Sequence, residues 1–283
     1  MFEVDLHLHT THSDGQLTPT QLVDLLASRG LKTIAITDHD STEGLDEASQ
    51  AASKHPGLTL VPGVELSTDV ADGEIHVLVY YVDRHDARFQ KLLERFRDAR
   101  IGRGKKMVEK LAALGMPVSW KRVLDFAQDG SVGRPHIARA MVEAGHVATT
   151  QEAFDKWLGR NCPAYAEREK LTPEEAIQVA LDFNALPVLA HPGYVPNLQT
   201  WLPSLKAAGL VGMEVYYAGY GPEQVGMLKG LADAYNLVPC GGSDYHATGR
   251  VDEAQPGTVG PPRSTAERLA ALNDHRKGRP ASV

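Results

Sequence analysis

The chain has 283 residues, of which 42% are apolar and 23% charged, as in a globular protein of one large domain or one domain with an insertion. Its net charge of −7 argues against a general polyanion-binding surface, so any phosphate or nucleic-acid binding must be local. The sequence has no pattern typical of a signal peptide or a membrane span, and its two cysteines lack metal or redox spacing. We therefore expect a cytoplasmic protein with reduced thiols.

The first predicted strand carries side chains that can bind a metal. Apolar and polar residues alternate over residues 2–8, and this period of two places His7 and His9 on one face. The loop over residues 10–15 then brings Asp14 back to the same end. A histidine pair alone fits a solvated edge strand as well as it fits a bound ion.

Strands and helices alternate along most of the chain. Strands are predicted at 2–8, 33–37, 58–65, 75–82, 186–190, 211–216 and 237–241. Helices are predicted from Pro19 to Gly30, from Ser41 or Thr42 to Ala52, from Pro173, and over 199–208, 222–235 and 264–273. This alternation predicts an α/β protein with a mostly parallel sheet or barrel.

One connection is too short for a parallel crossover. Only ten residues, 66–75, separate Glu65 from His76, and Asp72-Gly73 provides a turn. A parallel crossover needs about a dozen residues or more. We therefore predict an antiparallel hairpin that places His76 beside Glu65.

Residues 86–170 depart from the alternation. Apolar residues at helical spacing predict a helix over 86–114, about 43 Å long at 1.5 Å per residue. Seven basic and two acidic residues between 95 and 110 indicate either a solvated helix face or a local surface that attracts phosphate.

The loop and helix start at residues 128–139 form a second candidate binding segment. Free N–H groups at a helix start near Pro135 favour an anion, and Arg134 and His136 add donors. Taken alone, the segment is better explained as an ordinary helix N-terminus.

Histidines and carboxylates recur where the predicted strands begin or end. They are His7, His9, Asp14, His39, Glu65, His76, His191, Asp244 and His246. Barrel enzymes keep their active sites at the carboxyl ends of the strands, so this recurrence predicts a metal centre. Mixed imidazole and carboxylate ligands favour Mn, Fe or Zn over Mg or Ca. Asp5 and Asp38 are candidates either to orient the rings or to cap loops.

The chain resembles the polymerase and histidinol phosphatase (PHP) family of the amidohydrolase superfamily in six ordered motifs. These are His-x-His…Asp from His7, Thr-Asp-His ending at His39, Gly-Val-Glu ending at Glu65, Glu-Ile-His ending at His76, Ala-His-Pro around His191 and Gly-Ser-Asp-x-His ending at His246. The resemblance implies a distorted seven-stranded β/α barrel (TIM-like) with a mainly helical insertion domain. The barrel would occupy 1–97 and 171–283, and the insertion 98–170.

The resemblance also implies two to three divalent metal ions, with Mn the first candidate and Fe or Zn the alternatives. The implied ligands are His7, His9, Glu65 and Asp244 for one ion, Glu65, His76 and His191 for a second, and Asp14, His39 and His246 for a third. A metal-bridging hydroxide would attack phosphorus. The implied catalytic residues are Asp14, His39, Glu65, His191, Asp244 and His246.

The segment Gly-Arg-Pro-His-Ile-Ala from Gly133 is similar to one branch of that family. Its members are nucleoside 3′,5′-bisphosphate phosphatases, some of which also act as 5′-to-3′ exoribonucleases on short 5′-phosphorylated RNA. The similarity implies hydrolysis of the 3′-phosphate while the 5′-phosphate is held by Ser131, Gly133, Arg134 and His136. Candidates to stack a base are Tyr216, Tyr217 and Tyr220. The implied partners are a small nucleotide and short RNA, with no membrane and no obligate protein partner.

Two alternatives stay open. A histidinol-phosphate phosphatase would use the same metal centre but has no second phosphate for Arg134 to bind. A non-catalytic, polymerase-associated metal-binding module would share the fold, but the complete set of ligand positions argues against it.

Overall fold

A computed structural model of the protein describes residues 2–70, 73–128, 130–168, 171–251 and 253–277. A seven-stranded sheet lies at its centre, and the strands are neighbours in chain order. They are β1 (Val4–Asp5), β2 (Thr33–Ile36), β3 (Thr59–Val70), β4 (Gly73–Tyr80), β5 (Leu186–Leu189), β6 (Gly212–Tyr217) and β7 (Val238–Gly242). The Leu6 amide donates to the Gly241 carbonyl (3.2 Å), which joins the chain after β1 to β7. The sheet is thus nearly closed, and the predicted distorted β/α barrel is confirmed.

The helices follow the capping signals of the sequence. They are α1 (Pro19–Ser28), α2 (Leu45–Ala52), α3 (Ala87–Ala113), α4 (Trp120–Ala127), α5 (Arg134–Glu143), α6 (Thr150–Ala153), α7 (Pro173–Asp182), α8 (Leu198–Ala208), α9 (Pro222–Ala234) and α10 (Arg263–Lys277). Thr18 and Thr172 each form a capping box in front of a proline in the first turn. None of these described helices is both long enough and apolar enough to cross a bilayer.

The predicted hairpin is confirmed. β3 and β4 are antiparallel and pair Ser67 with His76, and β4 is also antiparallel to β5. The other neighbouring strands are parallel. β3 continues past its predicted end at Glu65 to Val70, because pairing with β4 persists up to the turn. Asp72 of the predicted turn lies outside the described residues.

Two predicted boundaries are wrong. The regular part of β1 ends at Asp5, because the chain then crosses towards β7. α2 begins at Leu45 and not at Ser41 or Thr42. Before it, Asp40 has a left-handed φ of 51°, and its amide donates to the Glu65 carbonyl (3.0 Å), so this segment forms a loop beside β3.

Strand alternation divides the apolar residues between two layers. Ala35 packs inside the barrel with Leu78, whereas Ile34 and Ile36 belong to the layer beneath the helices. A third cluster, from Met107 to Ala166, consists of residues of the predicted insertion itself. This separate core supports the predicted insertion, and its boundaries at 98 and 170 stay a prediction.

Candidate metal centre and substrate cavity

The nine predicted ligand residues come together at one end of the barrel. Carboxyl ends of parallel strands lie at the same edge, and β1, β2, β5 and β7 bring their following residues there. β4 runs in the opposite direction, so His76 near its start reaches the same edge as Glu65. Asp14 arrives from the loop before α1.

Glu65 lies at the centre of this metal-ligand group and is 1% exposed. Its Oε1 is 2.8 Å from Nδ1 of His76 and 3.1 Å from Nε2 of His191. Its Oε2 lies 3.1–3.3 Å from ring nitrogens of three further residues, His7, His9 and His39. One carboxylate therefore contacts five imidazoles.

Two aspartates complete the group. Oδ1 of Asp244 is 3.0 Å from Nε2 of His9. Oδ1 of Asp14 is 3.2 Å from Nε2 of His246, and its Oδ2 is 3.9 Å from Nε2 of His39. All nine side chains are thus connected by contacts below 4 Å.

The charges of the group favour a cation at its centre. Burial opposes ionisation of Glu65, but the surrounding histidines, His39 foremost, hold the pKa of its carboxyl well below the usual range. Burial likewise disfavours a charged His9, yet Asp244 and Glu65 raise the pKa of His9 to about 10. Burial lowers the pKa of His39 to about 3. Ionised carboxylates are the protonation state of metal ligands, and a bound cation would take the place of the proton that Asp244 and Glu65 favour on His9.

Several buried atoms in the group lack a hydrogen-bond partner. They are Nε2 of His9, Nδ1 of His39, Oδ1 of Asp14 and Oδ1 of Asp244. Unsatisfied buried polar atoms are costly, and His9, Asp14 and His39 each belong to a set that can surround one ion. Within the described ranges, ligand atoms lie within 4.8 Å of one another in three sets: His7, His9 and Glu65; His39, Glu65 and His76; and His9, Asp14, His39 and His246. The donors present therefore fit divalent metal ions.

Glu214 on β6 is a site residue that the sequence analysis missed. Its buried carboxylate is 3.1 Å from Nδ1 of His7 and accepts a hydrogen bond from the His191 amide (2.7 Å). His191 and Asp244 have φ values of 29° and 53°, which residues other than glycine rarely adopt. Glu214 thus holds His7 and the strained His191 in place. An acidic residue within an otherwise uncharged buried strand is the sequence signal for it.

Asp5 and Asp38 bind backbone segments and hydroxyls instead of imidazoles. Asp5 accepts hydrogen bonds from the amide and hydroxyl of Ser243 (2.9 and 2.7 Å). Asp38 accepts from the amide and hydroxyl of Thr10 (2.7 and 2.6 Å) and from the Ser13 hydroxyl (2.5 Å). Of the two predicted roles, the structure supports loop capping.

A cavity of about 100 Å³ beside the metal-ligand group is lined by four arginines, and we call it the anion cavity. These are Arg100 and Arg103 from α3, Arg134 from the start of α5, and Arg168. Asp14, His39 and His76 also line it, so the cavity opens onto the metal-ligand group. In the basic segment 95–110, the lysines are exposed on a solvated helix face, while Arg100 and Arg103 are buried and line the cavity. That the segment attracts phosphate stays a prediction.

Arginines of the anion cavity differ in their partners. Arg100 and Arg168 share Oδ2 of Asp40, at 2.6 and 3.2 Å. Arg103 is 6% exposed and makes no side-chain hydrogen bond within the part of the chain that the structure describes. Burial, followed by the like charges of Arg100, Arg134 and Arg168, lowers the pKa of Arg103 to about 9. An anion in this cavity would supply the missing partner.

Arg134 lines the anion cavity, and its guanidinium lies 2.5 Å from Glu74. The Gly133 amide donates to Nδ1 of His136 (2.9 Å). This bond closes the first turn of α5 and leaves neither group free. The hydroxyl of Ser131 is buried without a partner. The phosphate contacts predicted for Ser131, Gly133, Arg134 and His136 stay a prediction.

The candidate stacking tyrosines divide between the core and the site. Tyr216 packs against the hydrophobic layer beneath the helices. Tyr217 donates to Oδ2 of Asp244 (2.6 Å), and Tyr220 accepts from the Gly193 amide (2.6 Å). Their rings lie 5.0 Å apart at the edge of the metal-ligand group.

Comparison with known proteins finds relatives over most of the chain. The sequence profile described as "PHP domain" matches residues 5–95. The 5′-3′ exoribonuclease Rnm of Salmonella typhimurium is 37% identical over 247 residues, which is 86% of this chain and 84% of the relative. The 3′,5′-nucleoside bisphosphate phosphatase of Chromobacterium violaceum is 31% identical and covers 88% of this chain and 89% of its own.

Two solved structures have the same fold over nearly the whole chain. One, described as a metal-dependent phosphoesterase of Bifidobacterium adolescentis, has a TM-score of 0.86 and 32% identity, covering 95% of this chain and 96% of that one. The other, an amidohydrolase of Chromobacterium violaceum with bound sulfate, has a TM-score of 0.86 and 28% identity over the same shares.

Proposed function

Because the chain belongs to the PHP family of metal-dependent phosphoesterases, we propose that it hydrolyses the 3′-phosphate of nucleoside 3′,5′-bisphosphates. The observation that carries this proposal is the anion cavity, which opens onto the metal-ligand group. A bisphosphate can place one phosphate at that group and the other among the arginines. Histidinol phosphate, with one phosphate, would leave the arginines unused. The name of the Salmonella typhimurium relative, a 5′-3′ exoribonuclease, supports a second candidate activity, which we propose to be 5′-to-3′ hydrolysis of short 5′-phosphorylated RNA.

We propose that the metal-ligand group holds two to three divalent ions, with Mn the first candidate and Fe or Zn the alternatives. The proposed sets are His7, His9, Glu65 and Asp244; Glu65, His76 and His191; and Asp14, His39 and His246. Such ions would lower the pKa of a bound water and neutralise phosphoryl oxygens. The five imidazole contacts of Glu65 support its proposed role as the shared ligand.

Residues of the anion cavity would act by charge and position. Arg103 and Arg134 would bind the phosphate that is not cleaved, while Asp40 fixes the guanidinium of Arg100. Glu74 already pairs with Arg134, so the incoming phosphate competes with this carboxylate. Binding energy from the remote phosphate would orient the reacting phosphoester.

We expect the partners of this protein to be a small nucleotide and short RNA in the cytoplasm. The free thiols of Cys162 and Cys240 support that location, because disulfides are rare there.

The test compares adenosine 3′,5′-bisphosphate with 4-nitrophenyl phosphate as substrates of the wild type and of Arg134→Ala. A charge-assisted hydrogen bond contributes about 1.5–3 kcal/mol. The kcat/KM for the bisphosphate should therefore fall roughly 10- to 200-fold, whereas the aryl phosphate has no second phosphate to lose.

The matched control is Arg122→Ala, which removes an exposed arginine paired with Glu143 in the same insertion. Equal losses on both substrates would place Arg134 at the reacting phosphate. An unchanged kcat/KM on both substrates would show that Arg134 does not contact the substrate.

A further inference from the structure

A second, larger cavity opens at the other side of the metal-ligand group, and we call it the tyrosine cavity. Its volume is about 660 Å³, and Tyr194 and Tyr217 form one wall. Asp14, Pro135 and Phe154 line both this cavity and the anion cavity, so the two meet there. A volume in the range of roughly 300–1,000 Å³ is typical of pockets that bury a small-molecule ligand.

We propose that the tyrosine cavity binds the nucleotide on the 3′ side of the cleaved phosphodiester in an RNA substrate. The proposal rests on the function proposed above, since it assumes that the 5′-phosphate occupies the anion cavity. A bisphosphate carries only one ester on its 3′ phosphorus. In a dinucleotide the same phosphorus carries a second nucleoside, which needs room beyond the metal-ligand group, and the tyrosine cavity provides it.

The aromatic wall has one ring that is left open. Tyr194 is 65% exposed and makes no side-chain hydrogen bond within the described residues. Its ring centroid lies 5.9 Å from that of Tyr217 and 6.0 Å from that of Tyr220. Those two rings are fixed by hydrogen bonds to Asp244 and to the Gly193 amide. A large aromatic ring that is held at a cavity mouth and has one exposed face can stack on any of the four bases.

The remaining charges of the cavity suit a further backbone phosphate. Arg139 and Arg250 line it; the guanidinium of Arg139 also lies over the Phe126 ring, 4.4 Å from its centroid, and Arg250 has a further interaction of its own. Its acidic residues have other partners: Asp14 and Asp244 belong to the metal-ligand group, and Glu253 accepts bonds from the amides of three residues, His246, Thr248 and Gly249. Phosphate contacts of this kind give affinity without sequence preference.

The reaction balances on this arrangement. The oxygen of water bonds to phosphorus, the bond from phosphorus to the 3′ oxygen breaks, and that oxygen takes a proton. The products are a nucleoside 5′-monophosphate and a shortened chain whose new 5′ end keeps the phosphate. That end is released beside the anion cavity, which binds 5′-phosphates in the next round.

The experiment measures the ratio of kcat/KM for 5′-phosphorylated diadenylate to kcat/KM for adenosine 3′,5′-bisphosphate in the metal-loaded enzyme. We expect Tyr194→Ala to lower this ratio roughly 5- to 150-fold, since it removes one stacked base. Tyr194→Phe keeps the ring and should keep the ratio. The affinity of a diadenylate with a non-hydrolysable linkage, compared with that of AMP, gives the same test without turnover.

Three results would overturn the proposal. An unchanged ratio with equal losses on both substrates would place Tyr194 against the first nucleoside. No loss on either would exclude the ring from the substrate site. Equal affinity of Tyr194→Ala and the wild type for the non-hydrolysable diadenylate would do the same. A wild type that does not hydrolyse the bisphosphate would instead contradict the proposed function, and the affinity measurement would still decide on the tyrosine cavity.

Discussion

Arg103 carries a charge that the folded chain disfavours until an anion binds. It is buried, it has no hydrogen-bond partner among the described residues, and it shares the anion cavity with three other arginines. We predict that Arg103→Met stabilises the protein while weakening its binding of nucleotides. Stability and ligand binding are expected to change in opposite directions where a binding site contains interactions that are unfavourable until the ligand is bound.

The size of the stability effect follows from the pKa. Burial and the neighbouring charges lower the pKa of Arg103 from 12.5 to about 9. Since one pKa unit corresponds to about 1.4 kcal/mol, the upper limit of the gain is roughly 5 kcal/mol. Relaxation and cavity water reduce this, and Met keeps the buried methylene groups, so we expect a gain of about 1–3 kcal/mol. Each kcal/mol raises Tm by about 2–4 °C in a domain of this size.

Thermal unfolding with and without AMP measures both effects. Without AMP the variant should have the higher Tm. Adding AMP should raise the Tm of the wild type more than that of the variant, because the 5′-phosphate of AMP gives Arg103 a hydrogen-bond partner worth about 1.5–3 kcal/mol. Lys106→Met removes the same charge from the exposed face of α3 and serves as the control. A variant that melts below the wild type, or that keeps the full AMP-induced shift, would refute the reasoning.

Two further predictions concern the metal-ligand group and α5. Glu65→Gln should lower the occupancy of two metal sites at once, because the variant loses the carboxylate charge that contacts five imidazoles. Full metal occupancy of the variant, measured by elemental analysis, would contradict this. Burial lowers the pKa of His136 to about 4. Between about pH 6.5 and 4 the unfolded chain therefore binds more protons at this residue than the folded chain does. The free energy of unfolding falls as the pH falls over that range, by at most about 1.4 kcal/mol per pH unit. In His136→Asn, urea unfolding should show a smaller loss over that range, and an identical pH dependence would contradict the assignment.

The hairpin shows what local sequence patterns can predict. The short connection between Glu65 and His76 excludes a parallel crossover, and that one constraint places both residues at the same edge of the barrel. The long helix α3 and the capped starts of α1 and α7 were also predictable, because periodicity and capping act within a few residues.

The contacts of the insertion were harder to predict. The segment from Gly133 to His136 has the composition of a phosphate-binding helix start, but the Gly133 amide is taken by His136, three residues away. Arg100 and Arg103 differ from the exposed lysines of the same helix only by the face on which they lie. Which face is buried depends on how the insertion folds back over the barrel.

The amino-acid sequence by itself determined the fold class, the hairpin and the nine residues of the metal-ligand group. The fold class and the metal-ligand residues follow from strand periodicity and from the rule that parallel strands end at one edge, and the hairpin follows from the short connection between Glu65 and His76. Only the tertiary structure decided that Arg103, Arg134 and Arg168 share one cavity, and that Glu214 supports His7. These residues are far apart in the chain, and the packing of the insertion against the barrel brings them together. No local periodicity encodes such contacts, because their free energy depends on burial and charge in the assembled fold.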